Sequence, residues 1–261
     1  MDDIARPIEQ AQSLHVQVVP GSTNANSPVT LVPAVTAPEI PDYMQEIYYW
    51  AYLNPRNVKL LDRELVVRTI LWQQHKRLQR LAFAEIEAGQ SVLQSTCVYG
   101  KFSANLAEHI GREGTLDIID IAKVQVDNAR LKLQAYPQIT VQHADALQLD
   151  SKPFDVVLCY FLLHELPDSD KRKAANALLD KVVPGGKVVF IDYHKPRWWH
   201  PLKPITSLVF DKLEPFAKGM WRKEIQDFAN EPERFSWRKE PCFGDLFQKV
   251  VATRISQESA G

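Results

Sequence analysis

The segment VLQSTCVYGKFSANLA, residues 92–107, shows the repeating unit from which the fold is built. Its first residues are apolar and predict a buried strand, and Gly100 predicts a turn. The residues from Ser103 onward, SANLAEHI, have the spacing of a helix. A strand that passes through a glycine turn into a helix predicts a parallel sheet if the unit repeats.

The same alternation continues to residue 193. Further strands are predicted at GTLDIID, ITVQHAD, FDVVLCYFLL and KVVFIDY, helices at AKVQVDNARLKLQAY and SDKRKAANALLDKV, and a turn at PGG. The run FDVVLCYFLL is apolar throughout, as expected of a strand covered on both faces. The pattern predicts an α/β, Rossmann-like fold with a mostly parallel twisted sheet and helices on both faces. Its ligand is expected at the carboxyl ends of the strands, where the strand order reverses.

Composition divides the rest of the chain around this predicted core at 90–195. Residues 1–40 are rich in Pro and Ser without a period, and predict a disordered or loosely packed leader. Residues 41–89 have helical spacing and predict an N-terminal helical cap of a short aromatic helix and a longer one. Residues 196–261 predict an aromatic and basic lid or membrane-facing segment, with a final strand pair or a strand with its turn.

Charge and cysteine content exclude several classes of protein. The 31 Lys and Arg residues nearly balance the 32 Asp and Glu residues, so no overall field points to nucleic acid. Cys97, Cys159 and Cys242 are far apart and form no CxxC pair, which argues against a zinc knuckle or a disulfide framework. No apolar run is long enough to span a bilayer, and the first residues do not resemble a signal peptide. A cytoplasmic location is expected.

Residues 92–107 resemble the cofactor loop of class I S-adenosylmethionine-dependent methyltransferases, which carry a pattern like VLDxGCGTGxxxxxLA. The positions that match are Val92, Leu93, Cys97, Gly100, Leu106 and Ala107. Gln94 replaces the acidic residue, and Thr96 and Val98 replace two glycines that let the backbone approach the cofactor. Val98 is expected to displace the methionine part of S-adenosylmethionine, and Gln94 to free its ammonium group. A loop that no longer binds the cofactor is the alternative.

Acidic residues at two strand ends complete the predicted cofactor pocket. Asp120 ends the second predicted strand, where a carboxylate can accept the ribose hydroxyls, and Asp145 ends the third, where it can accept the adenine amino group. Either aspartate alone is equally well explained as a turn or helix cap. The predicted cofactor-binding residues are Cys97, Val98, Gly100, Asp120, Ile121, Asp145 and Ala146.

Polar clusters follow the fourth and fifth predicted strands, at the same edge of the sheet. His with Asp or Glu can bind a divalent metal such as manganese or zinc, or move protons. A histidine satisfied by a backbone carbonyl is the alternative for each site. The predicted catalytic residues are His164, Tyr193, His194 and Tyr99, and the predicted metal ligands are His164, Glu165, Asp192 and His194.

The chain also resembles the RquA family of rhodoquinone-biosynthesis proteins over roughly residues 41–239. The strings that carry the resemblance are YMQEIYYWAYLNPRNVKLLDRELVVRTILW, CVYGKFSANLAE, FLLHELPD, IDYHKP, WHPLKP and LEPFAKGMWRKEI. The resemblance implies that a methoxy group of ubiquinone is replaced by an amino group, with S-adenosylmethionine as amino donor and a divalent metal, Mn²⁺, assisting. A quinone or small-molecule methyltransferase and a non-catalytic quinone-pathway binding protein are the alternatives.

A membrane-soluble acceptor explains the aromatic and basic composition of residues 197–221. This segment mixes tryptophan and phenylalanine with lysine and arginine, as in a segment that lies in the headgroup region of a bilayer. The residues in question are Trp198, Trp199, Phe210, Phe216, Trp221, Arg197, Lys203, Lys212 and Lys218. A lid packed on the core is the alternative. With ubiquinone as acceptor, the segment predicts peripheral association with the cytoplasmic face of the inner membrane.

Overall fold

The computed structural model describes residues 37–256, which form a seven-stranded sheet with helices on both faces. The strands are β1 (Ser91–Gln94), β2 (Thr115–Asp120), β3 (Ile139–His143), β4 (Phe154–Tyr160), β5 (Val182–Tyr193), β6 (Phe235–Cys242) and β7 (Phe247–Arg254). Their order is β3-β2-β1-β4-β5-β7-β6, with β1 to β5 parallel and β7 antiparallel to both β5 and β6. The prediction of a Rossmann-like, mostly parallel sheet is confirmed. Nearly all of the predicted leader, residues 1–40, lies outside the described residues.

Eight α-helices cover the sheet within residues 37–256. They are α1 (Asp42–Glu46), α2 (Pro55–Leu61), α3 (Glu64–Ile70), α4 (His75–Phe83), α5 (Phe102–Ile110), α6 (Lys123–Leu133), α7 (Asp168–Leu179) and α8 (Lys203–Leu213). Side chains of β4 alternate between the two faces: Val156 and Leu158 join the core beneath α4 and α5, whereas Val157 and Cys159 join the core beneath α7. In this part of the chain no helix is both long and apolar enough to cross a membrane.

The region before β1 is more broken than the sequence predicts. A π-helical turn at Tyr49–Leu53 follows α1, and the Asn54 side chain caps α2, which has Pro55 at its first position. The longer predicted helix is wrong as a single element, because the chain forms α2, α3 and α4 in its place. Trp72 and Gln73 have φ values of 49° and 61°, and such a left-handed pair ends a right-handed helix.

The end of the chain contains one strand that the sequence analysis missed. β7 and the turn before it are predicted correctly, but its partner β6, with the sequence FSWRKEPC, was not recognised as a strand. The predicted PGG turn lies inside β5: Phe154 pairs with Val182 and Val156 with Lys187, so residues 183–186 form a bulge.

Lys171 fastens the segment after α8 to α7. Its side chain is fully buried, and its ammonium donates to the backbone oxygens of Leu166 (2.5 Å) and Phe216 (3.0 Å). Asp168 completes the group at 3.3 Å and holds the ammonium charge. Two carbonyls from separate segments, one buried and one partly buried, therefore depend on one side chain.

Replacing Lys171 with Met should lower the free energy of unfolding by about 1–3 kcal/mol, because both carbonyls lose their donor. Urea unfolding at constant m-value measures the change. Lys173→Met is the matched control, since the Lys173 side chain is 65% exposed and pairs with Asp170 on the surface. The control should stay within about 0.5 kcal/mol of the wild type. Equal losses in the two variants would contradict this role of Lys171.

Candidate cofactor and acceptor site

A cavity of about 190 Å³ lies over the carboxyl ends of β1 to β4, the edge where the sequence predicts the ligand. Its polar wall is formed by residues that follow β1, β2 and β3. Its apolar wall comes from the segment before β1 and from the residues that follow β4. The apolar wall includes Tyr43, Met44, Tyr48, Tyr52, Val67, Ile70, Leu71, Phe161 and Leu162. The cavity thus joins two chemically different halves.

Asp120 fixes the loop that follows β1. Its carboxylate accepts hydrogen bonds from Thr96 Oγ1 (3.0 Å), the Cys97 amide (2.9 Å) and the Ala122 amide (2.8 Å). Burial raises the pKa of Asp120, and these donors oppose that rise by favouring the ionised form. The carboxylate lines the cavity and holds its own loop in place at the same time.

Gln94, which replaces the acidic residue of the methyltransferase pattern, does not line the cavity. Its side chain is fully buried, donates to the Thr96 carbonyl oxygen (2.7 Å) and accepts from Ser103 Oγ (3.0 Å). Both ends of the amide are therefore used within the protein. Gln94 therefore stabilises the loop after β1 from the side that faces away from the cavity.

Gly100 is held from outside the cavity by the segment before β1. Its φ of 75° is a conformation that favours glycine, and its amide donates to Asp62 Oδ1 (2.7 Å). Lys132 Nζ donates to the same carboxylate oxygen (2.7 Å) and to the Gly100 carbonyl oxygen (3.0 Å). Of the seven predicted cofactor-binding residues, Gly100 lies behind the wall. The other six line the cavity: Cys97, Val98, Asp120, Ile121, Asp145 and Ala146.

Two cavity residues meet side chains from the segment before β1. Tyr99 Oη donates to the Ala51 carbonyl oxygen (2.6 Å) and accepts from Gln125 Nε2 (2.5 Å), while its ring stacks on Tyr52 at 6.1 Å. Tyr52 Oη donates a short hydrogen bond to Glu165 Oε1. Tyr99 and Glu165, two predicted site residues, thus lie in the wall with Tyr52 between them.

His164 and Asp192 form a buried pair behind Glu165. The distance from His164 Nδ1 to Asp192 Oδ1 is 2.9 Å, and from His164 Nε2 to Glu165 Oε1 it is 3.9 Å. Burial alone would lower the pKa of His164, but the carboxylates of Asp192, Glu214 and Glu165 raise it to about 9. Burial also raises the pKa of Glu165, and His164 opposes that rise. The imidazole of His164 is therefore protonated, and it lies next to the carboxyl group of Glu165, whose raised pKa favours the neutral form.

Three of the four predicted catalytic residues, His164, Tyr193 and His194, do not line the cavity, and only Tyr99 does. The Tyr193 ring is buried edge-on against His164 at 4.8 Å and against Phe210 at 4.9 Å. His194 Nδ1 contacts the Asp245 carbonyl oxygen (3.0 Å), and its Nε2 lies 2.9 Å from Lys239 Nζ, on the side of β6 and β7. The alternative of a histidine bound to a backbone carbonyl describes His194.

The predicted metal ligands are not assembled as a set. Between residues 37 and 256, no group of three or more His, Cys, Asp or Glu side chains is arranged to hold a metal ion. His164 lies between Asp192 and Glu165, whereas His194 contacts Lys239 and lies 3.9 Å from Glu224. A four-ligand site that includes His194 is inconsistent with this arrangement.

Glu214, Tyr48 and Tyr52 are further polar residues of this region. The sequence gives Glu214 no role, whereas the aromatic segment with Tyr48 and Tyr52 is expected from the sequence to close the pocket, and both tyrosines line the cavity. Burial raises the pKa of Glu214, and neither Glu214 Oε2 nor Tyr48 Oη makes a well-formed hydrogen bond. Glu214 directly follows α8, whereas Tyr48 and Tyr52 lie between α1 and α2. All three are far in sequence from the motifs at the strand ends. Their aromatic and acidic character alone does not distinguish them from core or surface residues.

The free energy of unfolding of the wild type should fall as pH rises above 4.5. Replacing Glu165 with Gln should make this fall less steep. The folded state keeps a proton on Glu165 at pH values where the unfolded chain has lost it, so stability falls with rising pH. His164 adds to the fall between about pH 6.5 and 9, since its folded pKa is also raised. Urea unfolding measured from pH 5 to 9 tests this. Glu87→Gln, at an exposed site, should keep the wild-type slope, and an unchanged slope in Glu165→Gln would refute the assignment.

Part of the chain is similar to known methyltransferases. Residues 92–186 match the family model described as "Methyltransferase domain". A demethylmenaquinone methyltransferase of Shouchella clausii is 27% identical over 174 residues, covering 64% of this chain and 70% of that protein. A ubiquinone/menaquinone biosynthesis C-methyltransferase, UbiE, of Idiomarina loihiensis is 29% identical over 160 residues, covering 59% and 60% of the two chains.

Solved structures share the architecture. The N-methyltransferase NodS from Bradyrhizobium japonicum WM9, in complex with S-adenosyl-L-homocysteine, aligns with a TM-score of 0.54 at 18% identity. The alignment covers 84% of this chain and all of NodS. An O-methyltransferase family protein from Burkholderia thailandensis aligns with a TM-score of 0.61 at 16% identity, covering 78% and 61% of the two chains. Residues 92–186 are therefore similar to a methyltransferase domain, and the chain has the fold of class I S-adenosylmethionine-dependent methyltransferases.

Proposed function

We propose that the chain is an S-adenosylmethionine-dependent transferase that modifies the ring of an isoprenoid quinone. The observation that carries the proposal is one cavity with a polar half at the ends of β1 to β3 and an aromatic half under the segment before β1. The relatives in Shouchella clausii and Idiomarina loihiensis are named for menaquinone and ubiquinone synthesis, which supports a quinone acceptor.

The polar half fits the nucleoside of S-adenosylmethionine. Asp120 and Asp145 line it at the ends of neighbouring strands, each followed by an apolar residue, Ile121 and Ala146, that can pack on a base. Asp120 uses three protein donors, so a carboxylate with about four acceptor positions retains one for a ribose hydroxyl. When bound, S-adenosylmethionine supplies either an electrophilic methyl group or an amino group.

The aromatic half fits a flat quinone ring. Tyr48, Tyr52 and Phe161 line it with Val67 and Leu71, so a bound ring is packed between aromatic and aliphatic side chains. These residues also keep water from the acceptor, which strengthens every polar interaction within the cavity. We assign this half to the acceptor.

Glu165 and His164 are placed to manage the proton that ring substitution releases. A new bond at the ring carbon displaces one proton, from either the ring or the incoming amine. Glu165 Oε1 lies in the cavity wall, accepts from Tyr52 and is 3.9 Å from His164 Nε2. We propose that the ionised form of this carboxyl group accepts the proton, since its raised pKa makes it a stronger base, and that the His164 and Asp192 pair positions it.

A manganese ion does not fit the residues present. The predicted ligands His164 and His194 face different neighbours, and residues 37–256 contain no alternative cluster of suitable side chains. No step of the proposed chemistry is therefore assigned to a metal.

Two chemistries remain for the same site. The relatives favour methylation, since one is named a demethylmenaquinone methyltransferase and the other a C-methyltransferase. The loop after β1 favours the alternative of amino transfer, which converts ubiquinone to rhodoquinone, because Thr96 and Val98 stand where ordinary methyltransferases carry glycine. In amino transfer a ring C–N bond forms, the C–O bond to the methoxy group breaks, and methoxide leaves with a proton of the amine as methanol. The Cα–N bond of the donor then breaks by elimination: its electron pair goes to nitrogen, a proton passes from Cβ of the donor to nitrogen, and the rest of the donor leaves as an unsaturated sulfonium carboxylate. We propose a peripheral position at the cytoplasmic face of the inner membrane, since the acceptor is a lipid.

Purified protein incubated with S-adenosylmethionine and a short-chain ubiquinone, or its demethylated analogue, should yield a modified quinone. Mass spectrometry of the extracted quinone separates the outcomes. A product lighter than ubiquinone shows that amino has replaced methoxy, and a product one methylene heavier than the analogue shows methylation. No modified quinone with either acceptor, in the presence or absence of Mn²⁺, would overturn the proposal and leave a non-catalytic binding protein.

The series Val98→Ala and Val98→Gly should shift the product ratio from amino toward methyl transfer. Val98 lines the cavity beside Cys97, so removing its branches opens space for the ordinary placement of the methionine part. A change of about tenfold is expected for Val98→Gly, because a few methyl groups in a pocket have effects of that size. Val66→Ala, on the neighbouring α3 but outside the cavity wall, is the control. An unchanged ratio across the series would remove Val98 from the argument.

A further inference from the structure

Large apolar side chains are exposed on three neighbouring segments of the surface. Trp198 is 84% exposed and Trp199 54%, in the loop between β5 and α8. Leu65 on α3 is 68% exposed and Leu208 on α8 is 60%. Ile205 lies one helical turn before Leu208, so both project from the same face of α8. Single exposed apolar residues are ordinary on protein surfaces, but several on adjoining segments point to an interaction site.

A groove connects these segments. It is lined by Leu65, Arg68 and Trp72 from the α3 side, and by Leu202 and Phe243 from the other. Leu202 immediately precedes α8, which places the start of that helix next to α3. The tryptophan loop reaches the same place, because the Trp199 ring stacks on His200 at 6.4 Å and His200 packs on Phe243 at 5.2 Å.

Cations surround this surface. Arg68 lines the groove, Lys203 begins α8, and Lys195 precedes the tryptophan loop. Within residues 37–256 none of these three forms an ion pair with an acidic side chain. The carboxylate of Glu64, on the same helix as Arg68, faces His75 at 3.2 Å. Arg68, Lys195 and Lys203 are therefore positive charges at this surface without an acidic partner in the described part of the chain.

The surface is continuous with the cavity through α3. Ile70 is 49% exposed and also lines the cavity, as does Glu64 at the other end of the same helix. Leu65 and Arg68 lie between them in sequence and face the groove. Only α3 therefore separates this surface from the apolar half of the cavity, so a lipid quinone that leaves a bilayer here has a short path to it.

We propose that this surface, formed by Leu65, Arg68, Trp198, Trp199, Lys203, Ile205 and Leu208, docks on a bilayer that contains anionic lipids. Exposed tryptophan at headgroup level, leucine inserted below it and cations at the rim are the pattern that binds an anionic interface. This inference rests on the proposed function in one respect: a lipid quinone as acceptor explains why the protein would dock on a bilayer. The docking itself is independent of the reaction. Phe210 is buried and Phe216 packs on Tyr43, so neither belongs to the surface.

The test is sedimentation of the full chain with vesicles of phosphatidylcholine and phosphatidylglycerol. The variant Leu65→Ser with Leu208→Ser should weaken vesicle binding by about tenfold or more, since two inserted leucines are lost. Leu131→Ser is the matched control: Leu131 is 67% exposed on α6, outside this surface, and its replacement should leave vesicle binding unchanged. Thermal unfolding of all variants checks that the fold is kept.

A second pair of variants tests the charge. Arg68→Gln with Lys203→Gln should reduce the dependence of binding on the phosphatidylglycerol fraction and on salt, while some binding to neutral vesicles remains. The proposal is overturned if the wild type binds no vesicles, if Leu131→Ser weakens binding as much as the Leu65 and Leu208 change, or if the surface instead holds two copies together in solution. Turnover of a short-chain, detergent-dispersed quinone, which should be the same in every variant, separates failure of docking from failure of the proposed function.

Discussion

The carboxylate of Asp120 is the contact on which the site depends. It is buried, and three donors, two of them on the loop after β1, hold it against the end of β2. A buried charge is tolerated only where such donors surround it, so the loop and the aspartate stabilise each other. Thr96 and Val98 already allow this loop fewer backbone conformations than glycine would. Asp120 selects one, and in it the residues from Ser95 to Tyr99 line the cavity.

A second carboxylate makes the loop and the segment before β1 a single unit. Asp62 accepts from the Gly100 amide, from Lys132 and from Asn128, so it binds the loop on the side away from the cavity. Because Asp62 follows α2, the aromatic residues just before that helix are fixed over the cavity. Tyr52 is thereby placed within hydrogen-bond distance of Glu165, and the aromatic segment covers the apolar half of the cavity. The shape of the apolar half thus depends on polar contacts behind the wall.

The sequence predicts what is periodic and local, and misses what is distant. The strands and the positions of Asp120 and Asp145 follow from alternation and from the rule that ligands lie at the carboxyl ends of parallel strands. His194 was assigned to the same rim because β4 and β5 are neighbours, but β5 also borders β7, and the turn between β6 and β7 binds the imidazole. Tyr52 and Glu165 are 113 residues apart, and no local pattern encodes their hydrogen bond. The broken helices before β1 likewise depend on the left-handed backbone at Trp72 and Gln73.

The position of Val98 explains why one residue can bear on the choice between two chemistries. The donor side of the cavity is set by β1 to β3 and the acceptor side by the segment before β1, so each half is held by different elements. The loop after β1 is the place where the halves meet, since it contacts Asp120 on one side and Tyr52, through Tyr99, on the other. A branched side chain there changes the direction from which a donor group approaches without altering either half. Under the proposed function, we expect such a change to leave the affinity for nucleoside and quinone largely intact and to act on the reaction that follows binding.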